Sequence, residues 1–547
     1  MNSFIESLKN AGINEIEQDK ATLEKYSRDA SLFKVTPEVI VFPKDSKDVQ
    51  EIVKAVVASR LRGEHYHLTA RSAGTDMTGG PLTSSVVVEF PRHFNKVIEV
   101  GNGYATTQPG VYYRDFDKAT VAKGQIMPSY PASRELCTVG GMVANNSGGE
   151  KTLLYGKTED YILELKGVLR DGNEYTFKPL TLSELEDKKS LNTFEGEIYR
   201  NLHALIEQNY AKIKNAKPNV SKNSSGYFLW NVLDKEKGTF DITKLLVGSQ
   251  GTLGLITQIK FRLIKPKTHS RLLVVFLKSM KGLGDLTNHI LEFKPESLES
   301  YDDHTFKLAA KLFPQMVKQM KGNFFTLMLR FIPEFWAIVT GGIPKLVLMA
   351  EFTADSDEEA YNQALKAQAS LKEFKVKTKV TTTEGDVKKY WTIRRESFNM
   401  LRHHVKTLRT APFIDDFVVP PQCLPEFLPK LYSILDGYHI TYTVAGHVGD
   451  GNFHIIPLMD LKKAESIKAI NELMVKVNAL VIEYKGSITG EHNDGIVRTP
   501  YVEHMYGSEV YKLFEETKKI FDPENIFNPG KKVGGDWNYA ISHLDIV

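Results

Sequence analysis

The chain has 547 residues, 42% apolar and 25% charged, an ordinary globular mixture that excludes a wholly disordered chain, a collagen and a polytopic membrane protein. Lys plus Arg is 70 and Asp plus Glu is 67, and a net charge of +3 gives no bulk electrostatic footprint for nucleic acid. The two cysteines, Cys137 and Cys423, cannot make a disulfide framework, an all-cysteine zinc site or an iron–sulfur cluster.

Met1 to Lys34 is polar and mixed in charge, and it predicts one or two surface helices. No apolar run precedes a small-residue cleavage site, so no export signal is expected and the protein is read as cytoplasmic. From Pro37 short units alternate. Val39 to Phe42 predicts a strand, Val49 to Leu61 a helix, His67 to Ala70 and Ser85 to Phe90 two further strands. Leu163 to Phe177 predicts a strand–turn–strand unit turning at Asp171-Gly172. Lys178 to Thr243 is more polar and reads as an excursion, and Leu245 to Ile264 predicts strands around a glycine-rich turn. Pro266-Lys267 marks a boundary. Beyond it lie predicted strands at Leu272 to Phe276 and Leu346 to Phe352, and a helical stretch at Ala360 to Glu373. The pattern is α+β or α/β, in three parts: 1–34, 35–267 and 268–547.

Three loops are dense in small residues. Arg71-Ser72-Ala73-Gly74-Thr75-Asp76-Met77-Thr78-Gly79-Gly80 follows a predicted strand. Glycine there lets the backbone approach a ligand and aim successive N–H groups at an anion. Its spacing is neither that of a nucleotide-triphosphate loop nor of a Rossmann fingerprint. The other two are Pro131 to Gly149 and Val247 to Thr257. Together they suit one extended, two-phosphate cofactor.

The C-terminal half carries the strongest chemical signal. Ala445-Gly446-His447-Val448-Gly449-Asp450-Gly451-Asn452-Phe453-His454 sets two histidines seven residues apart. On a regular strand an odd spacing puts them on opposite faces, but three glycines argue for a turn that could bring both imidazoles to one point. About forty residues on comes Gly486-Ser487-Ile488-Thr489-Gly490-Glu491-His492-Asn493. Two histidines and a carboxylate suit a borderline divalent cation, zinc or manganese, with positions left open. Spacing alone does not divide metal ligand from base.

The three loops, in this order, resemble the FAD-binding domain shared by vanillyl-alcohol oxidase and p-cresol methylhydroxylase. Gln250 stands where that family's "G-S-E-G-T-L-G" turn has its acidic residue. The resemblance implies a two-subdomain FAD-binding domain over 35–267 followed by an α+β substrate (cap) domain. It implies non-covalent FAD, because the first loop has no histidine to tether it. The implied cofactor-binding residues are Arg71, Ser72, Ala73, Gly74, Thr75, Asp76, Pro131, Gly140, Gly141, Asn145, Ser147, Gly251, Ile256 and Asn528. Asn528-Pro529-Gly530-Lys531 resembles the family's "N-P-x-K" turn, so about 490–547 is expected to return to the flavin.

From Leu272 onward the chain resembles the C-terminal domain of FAD-linked D-2-hydroxy-acid dehydrogenases, the group of D-lactate, glycolate and D-2-hydroxyglutarate dehydrogenases. His447 to His454 resembles "H-x-G-D-G-N-x-H", and Gly486 to Asn493 resembles "G-S-x-x-x-E-H-G" with Asn493 for the last glycine. That match implies His447, His454 and Glu491 as metal ligands and His492 as the base. Trp391-Thr392-Ile393-Arg394-Arg395 resembles a "W-x-x-R-E" helix with Arg395 at its acidic position, which implies Arg394 as the fork for the substrate carboxylate. Ile414 to Pro420 resembles a family strand on which some dicarboxylate-handling relatives carry a lysine. None stands between Arg409 and Lys430, which favours a small monocarboxylate such as D-lactate.

The implied activity is FAD-dependent, metal-assisted oxidation of a D-2-hydroxy acid to the 2-oxo acid. The rival readings are a non-redox FAD enzyme like the alkylglycerone-phosphate synthases, whose histidine-rich tract this chain lacks, and a flavin-binding electron-transfer subunit. Without an iron–sulfur module, electrons must leave to a quinone or a diffusible carrier. Phe324 to Gly342 is aromatic and flanked by Lys318 and Lys321. It reads either as buried helices split at Pro333 or as a peripheral membrane contact. It is too broken to span a bilayer.

Overall fold

The computed structural model describes residues 2–303, 343–392, 394, 408–438 and 440–546. The segment 324–342 lies outside the described residues. Among the described residues, no helix is long and apolar enough to cross a membrane.

Four sheets carry the described residues. The first combines β1 (Ile16–Glu17), β2 (Val39–Val41), β3 (Leu68–Arg71) and β4 (Val86–Glu89) in the order β1-β2-β4-β3. β2, β4 and β3 run parallel, and their apolar residues other than the half-buried Ala70 are buried on both faces, as parallel strands require. The helix Ser46–Leu61 covers one face. Asp45 starts it by accepting from the N–H groups of Lys47 and Asp48, and Val49, Ile52, Val53 and Val56 form its buried stripe. The helix Asn2–Asn10 adds Phe4 and Leu8 to the same core, so the predicted surface helix is half core.

β5 (Val97–Val100), β6 (Tyr104–Thr107), β7 (Ile162–Val168) and β8 (Glu174–Phe177) begin a second sheet. β9 (Leu180–Thr181), β10 (Leu233–Asp234) and β11 (Thr239–Phe240) form a small separate sheet beside the helices of the 182–215 excursion. β12 (Leu255–Arg262) returns to the centre of the second sheet, order β5-β6-β12-β7-β8, with alternating burial. Leu245 and Leu246, expected in a strand, instead lie in the short helix Thr243–Leu246. Asp241 starts that turn by accepting from the N–H and hydroxyl of Thr243, and the strand begins only after the glycine turn at 248–254.

The largest sheet holds β13 (His269–Leu277), β14 (Ser297–Asp302), β15 (Leu346–Ala354), β16 (Lys377–Val380), β17 (Arg409–Thr410), β18 (Phe417–Val418), β19 (Thr441–His447) and β20 (Asn452–Met459). Its order is β16-β13-β15-β14-β19-β20-β17, antiparallel, with β18 also on β20. Alternation splits its two faces. Leu273, Val275, Leu298, Leu348, Val444 and Ile455 enter the main core, while Leu272, Val274, Tyr301, Val347 and Met349 meet Val387, Tyr390 and Trp391 on the other side. The candidate site stands on that second face.

Candidate functional site

The β19–β20 hairpin explains how two histidines seven apart converge. Its register sets His447 opposite Asn452 and Ala445 opposite His454, so 445, 447, 452 and 454 share one face. The turn between them, Val448 to Gly451, shifts the parity, and Gly451 takes φ +66° where a Cβ would lie 1.8 Å from the Val419 carbonyl oxygen. The two rings meet edge to face, centroids 5.2 Å apart. Glu491 joins them, with its Oε1 3.4 Å from His447 Nε2. One ligand atom each from His447, His454 and Glu491 lies within 4.8 Å of the others. His492 stacks on His454 with centroids 5.3 Å apart.

Carboxylates behind the histidines set their orientation. β14 pairs with β19 so that Glu299 falls opposite His447, and Glu299 Oε1 lies 2.5 Å from His447 Nδ1. Asp415 serves both other rings: Oδ1 is hydrogen-bonded to His454 Nδ1 at 3.0 Å. Its Oδ2 lies 2.8 Å from His492 Nδ1, an ion-pair contact too oblique for a hydrogen bond. With the Nδ1 atoms thus engaged, the Nε2 atoms are left for a ligand, the arrangement of metal-binding imidazoles backed by carboxylates. Next along the chain, Asp416 accepts at Oδ2 from the N–H groups of Glu491 and His492 and from Thr489 Oγ1, which fixes the 489–492 loop.

A buried lysine completes the cluster. Lys222 is fully buried; its ammonium donates to Glu491 Oε1 and to the Gly149 carbonyl, and lies 3.3 Å from Asp450 Oδ2. It therefore ties the second small-residue loop to both histidine motifs. Burial opposes ionisation of Glu491, but Lys222 and His447 hold its carboxyl down at about 2. Burial and Lys222 push His447 well below the ordinary imidazole range. Burial also works against a charged His492, yet Asp416 and Asp415 lift it to about 9. This chemistry, two inward Nε2 atoms beside an ionised carboxylate, fits a divalent cation.

The glycine loops are bonded to one another. Asn145 Nδ2 donates to Asp76 Oδ2 at 2.7 Å, Gln250 Nε2 donates to Asn145 Oδ1 at 3.2 Å, and Gly495 N donates to Gln250 Oε1 at 2.9 Å. The amide at 250 acts as donor and acceptor at once, which a carboxylate there could not do. Asn528 donates to the Gly80 and Gln250 carbonyls, joining the first and third loops. Asn493 takes φ +70°, which Asn tolerates, and donates to the Asn145 and Gly248 carbonyls. In the first loop Gly74 takes φ +75°, and a Cβ would lie 2.2 Å from Arg71 Nη2. Arg71 Nη1 is buried without a hydrogen-bond acceptor among the described residues, a charged donor that fits an anionic phosphate oxygen.

The expected residues fall as follows. Arg71 to Asp76 form the loop after β3, with Asp76 turned inward to accept from the N–H groups of Thr78 and Gly80. Gly140, Gly141 and Asn145 lie in the helix Val139–Asn145, where Gly141 faces Ser72. Ser147 follows the left-handed Asn146, Pro131 opens the second loop, Gly251 faces Ala70, and Ile256 is on β12. Arg394 lies 3.3 Å from Glu299 Oε2, at the edge of the histidine cluster. Sequence reasoning missed Glu299, Asp415, Asp416 and Lys222. Only the Asp415-Asp416 pair inside an apolar run offered a signal, since charges there must be buried and partnered.

Residues 37–178 match the family described as FAD binding domain, and 266–532 match the FAD linked oxidases, C-terminal domain. The chain is 30% identical over 539 residues to a D-2-hydroxyglutarate dehydrogenase of Pseudomonas putida, covering 96% of this chain and 51% of that protein. It is 27% identical over 497 residues to a D-lactate dehydrogenase of Archaeoglobus fulgidus, covering 90% and 91%. It thus spans about half the length of the D-2-hydroxyglutarate dehydrogenases it matches. Among solved structures, a 4-ethylphenol oxidase from Gulosibacter chungangensis superposes with TM-score 0.68 at 15% identity, covering 98% of both chains. A p-cresol methylhydroxylase gives 0.67 at 14%, covering 98% of this chain and 97% of that one. The fold is that of the vanillyl-alcohol oxidase and p-cresol methylhydroxylase flavoproteins.

Proposed function

We propose, for a chain that belongs to the flavoproteins joining an FAD binding domain to an FAD linked oxidase C-terminal domain, that it oxidises a D-2-hydroxy acid to the 2-oxo acid. The observation that carries this reading is the convergence of His447, His454 and Glu491 beside His492. A flavin alone needs no such cluster. A 2-hydroxy acid can use one, because its hydroxyl and carboxylate oxygens form a chelate.

The three glycine loops and Arg71 would hold FAD without a covalent bond, and FAD would supply the two-electron acceptor for the C2 hydride. His447, His454 and Glu491 would hold zinc or manganese, which supplies Lewis acidity. His492 takes the hydroxyl proton at Nε2, its other nitrogen facing Asp415. A cation held by the three ligands would offset the two aspartates that lift His492, and so favour the neutral, basic ring. Arg394 grips the substrate carboxylate and fixes which face of C2 is presented.

The substrate favoured is a small monocarboxylate such as D-lactate, since the strand after Arg409 carries no lysine and a D-lactate dehydrogenase is matched over 91% of its length. The acceptor is a quinone or a diffusible carrier. The reading is of a cytoplasmic enzyme in which 324–342 is either a core segment or a peripheral contact with the inner face of the membrane. Sedimentation with anionic liposomes, with and without that segment replaced by a polar linker, tests the contact.

The central test is anaerobic bleaching of the bound flavin by a panel of D- and L-2-hydroxy acids. Bleaching by D-lactate and not by L-lactate is expected. A flavin that no 2-hydroxy acid reduces would leave the non-redox and electron-transfer readings in its place.

A further inference from the structure

Glu299 touches two groups to which the proposed function gives different tasks. Its Oε1 lies 2.5 Å from Nδ1 of His447, and its Oε2 lies 3.3 Å from Nη2 of Arg394. The first contact is dictated by the sheet, because the β14–β19 register sets 299 opposite 447 on one face. The second is dictated by packing. Tyr390 and Trp391 lie against Leu272, Val274 and Tyr301 on that same face, and this brings the guanidinium three residues later over the β14 carboxylate. The Glu299 side chain is 1% exposed, so water does not screen either contact.

We infer that Glu299 is a positioning residue that couples the cation site to the substrate-carboxylate site: one rigid carboxylate orients the His447 ring and holds the Arg394 fork. This rests on the function proposed above. Cation affinity and substrate grip then share one support, and loss of its charge loosens both. A carboxylate that served packing alone would show neither effect in an isosteric variant.

The test is Glu299→Gln in the FAD-loaded protein. Zinc affinity is measured by competition with a chromophoric chelator, and KM and kcat for D-lactate are measured at saturating zinc. The expected result is a zinc dissociation constant raised about 10–100-fold, and a raised KM with a smaller change in kcat. Arg394→Met should raise KM without weakening zinc. If Glu299→Gln does not retain FAD, Glu299→Asp carries the same test, since a side chain one methylene shorter cannot reach both partners. Wild-type zinc affinity or wild-type KM in a folded Glu299 variant would overturn the coupling. Wild-type protein that neither binds zinc nor is reduced by any 2-hydroxy acid would instead sink the underlying reading.

Discussion

Asp415 lies between two imidazoles and gives each a different oxygen: Oδ2 stands 2.8 Å from His492 Nδ1, while Oδ1 stands 3.0 Å from His454 Nδ1. Burial opposes its charge, but the two rings hold its carboxyl down at about 2, and Arg498 donates to its backbone carbonyl. Asp415→Asn keeps the shape and removes the charge that both rings face. Flavin reduction by D-lactate is expected to slow about 10–100-fold with FAD content unchanged, read by anaerobic stopped flow. An unchanged rate would show that neither ring depends on it.

The cation and the base are separable by substitution. His447→Ala or His454→Ala, or chelation, should abolish turnover while the protein stays yellow. His492→Ala should keep stoichiometric divalent metal, by elemental analysis, and lose the proton-transfer step. Active protein with no such metal would refute the ligand assignment, and near-normal reduction by the His492 variant would refute the base.

The hairpin was legible because its glycines are local: Gly449 and Gly451 announce a turn, and the turn sets where His447 and His454 point. Strands β2 and β3 were legible for the same kind of reason, short apolar runs ended by Pro43 or by the glycines of the first loop, whereas β1 and β5 were not. What escaped were single charged residues delivered by distant contacts. Glu299 is 148 residues from His447 and Lys222 is 269 from Glu491, so no spacing rule links them. Lys222 stands in the polar 178–243 excursion, as Ser221-Lys222-Asn223-Ser224, yet its own side chain is fully buried. Leu245-Leu246 misled because an apolar pair before a glycine turn serves strand and helix alike.

The cofactor should leave with acid. Purified protein is expected to be yellow and to release FAD on acid precipitation, as the first loop holds no histidine. Gly74→Val should weaken FAD binding. Its backbone at φ +75° disfavours a β-branched side chain, and its Cβ would displace the Arg71 guanidinium. Flavin retained in the pellet, or wild-type affinity in the variant, would contradict the assignment.

Lys222 can be tested through stability alone. Glu491 and Asp450 are buried around it, and burial already raises the Asp450 carboxyl against the pull of the ammonium. Lys222→Met leaves both carboxylates without that partner, a loss of about 3–5 kcal/mol for a broken buried pair. Urea unfolding of the metal-free protein checks it. Adding zinc should restore part of the loss, because a cation beside Glu491 replaces the missing charge.

Asp29 gives a pH signature of opposite sign to most carboxylates. It accepts from the N–H groups of Ser31 and Gly79, but burial and the neighbouring Asp76 raise its carboxyl to about 7, against an ordinary value near 3.8. A folded-state value above the unfolded one means the contribution is fully present below about pH 4 and lost as pH rises through 7. Asp29→Asn removes that loss. The stability of the variant minus that of wild type should therefore climb between pH 4 and pH 7, by up to a few kcal/mol. Denaturant titrations of FAD-free protein at several pH values measure it. A difference that is flat, or that falls with pH, would mean Asp29 is ionised in the fold. The same substitution should strengthen FAD binding at pH 8, where wild type carries an additional negative charge beside the loop that Arg71 serves.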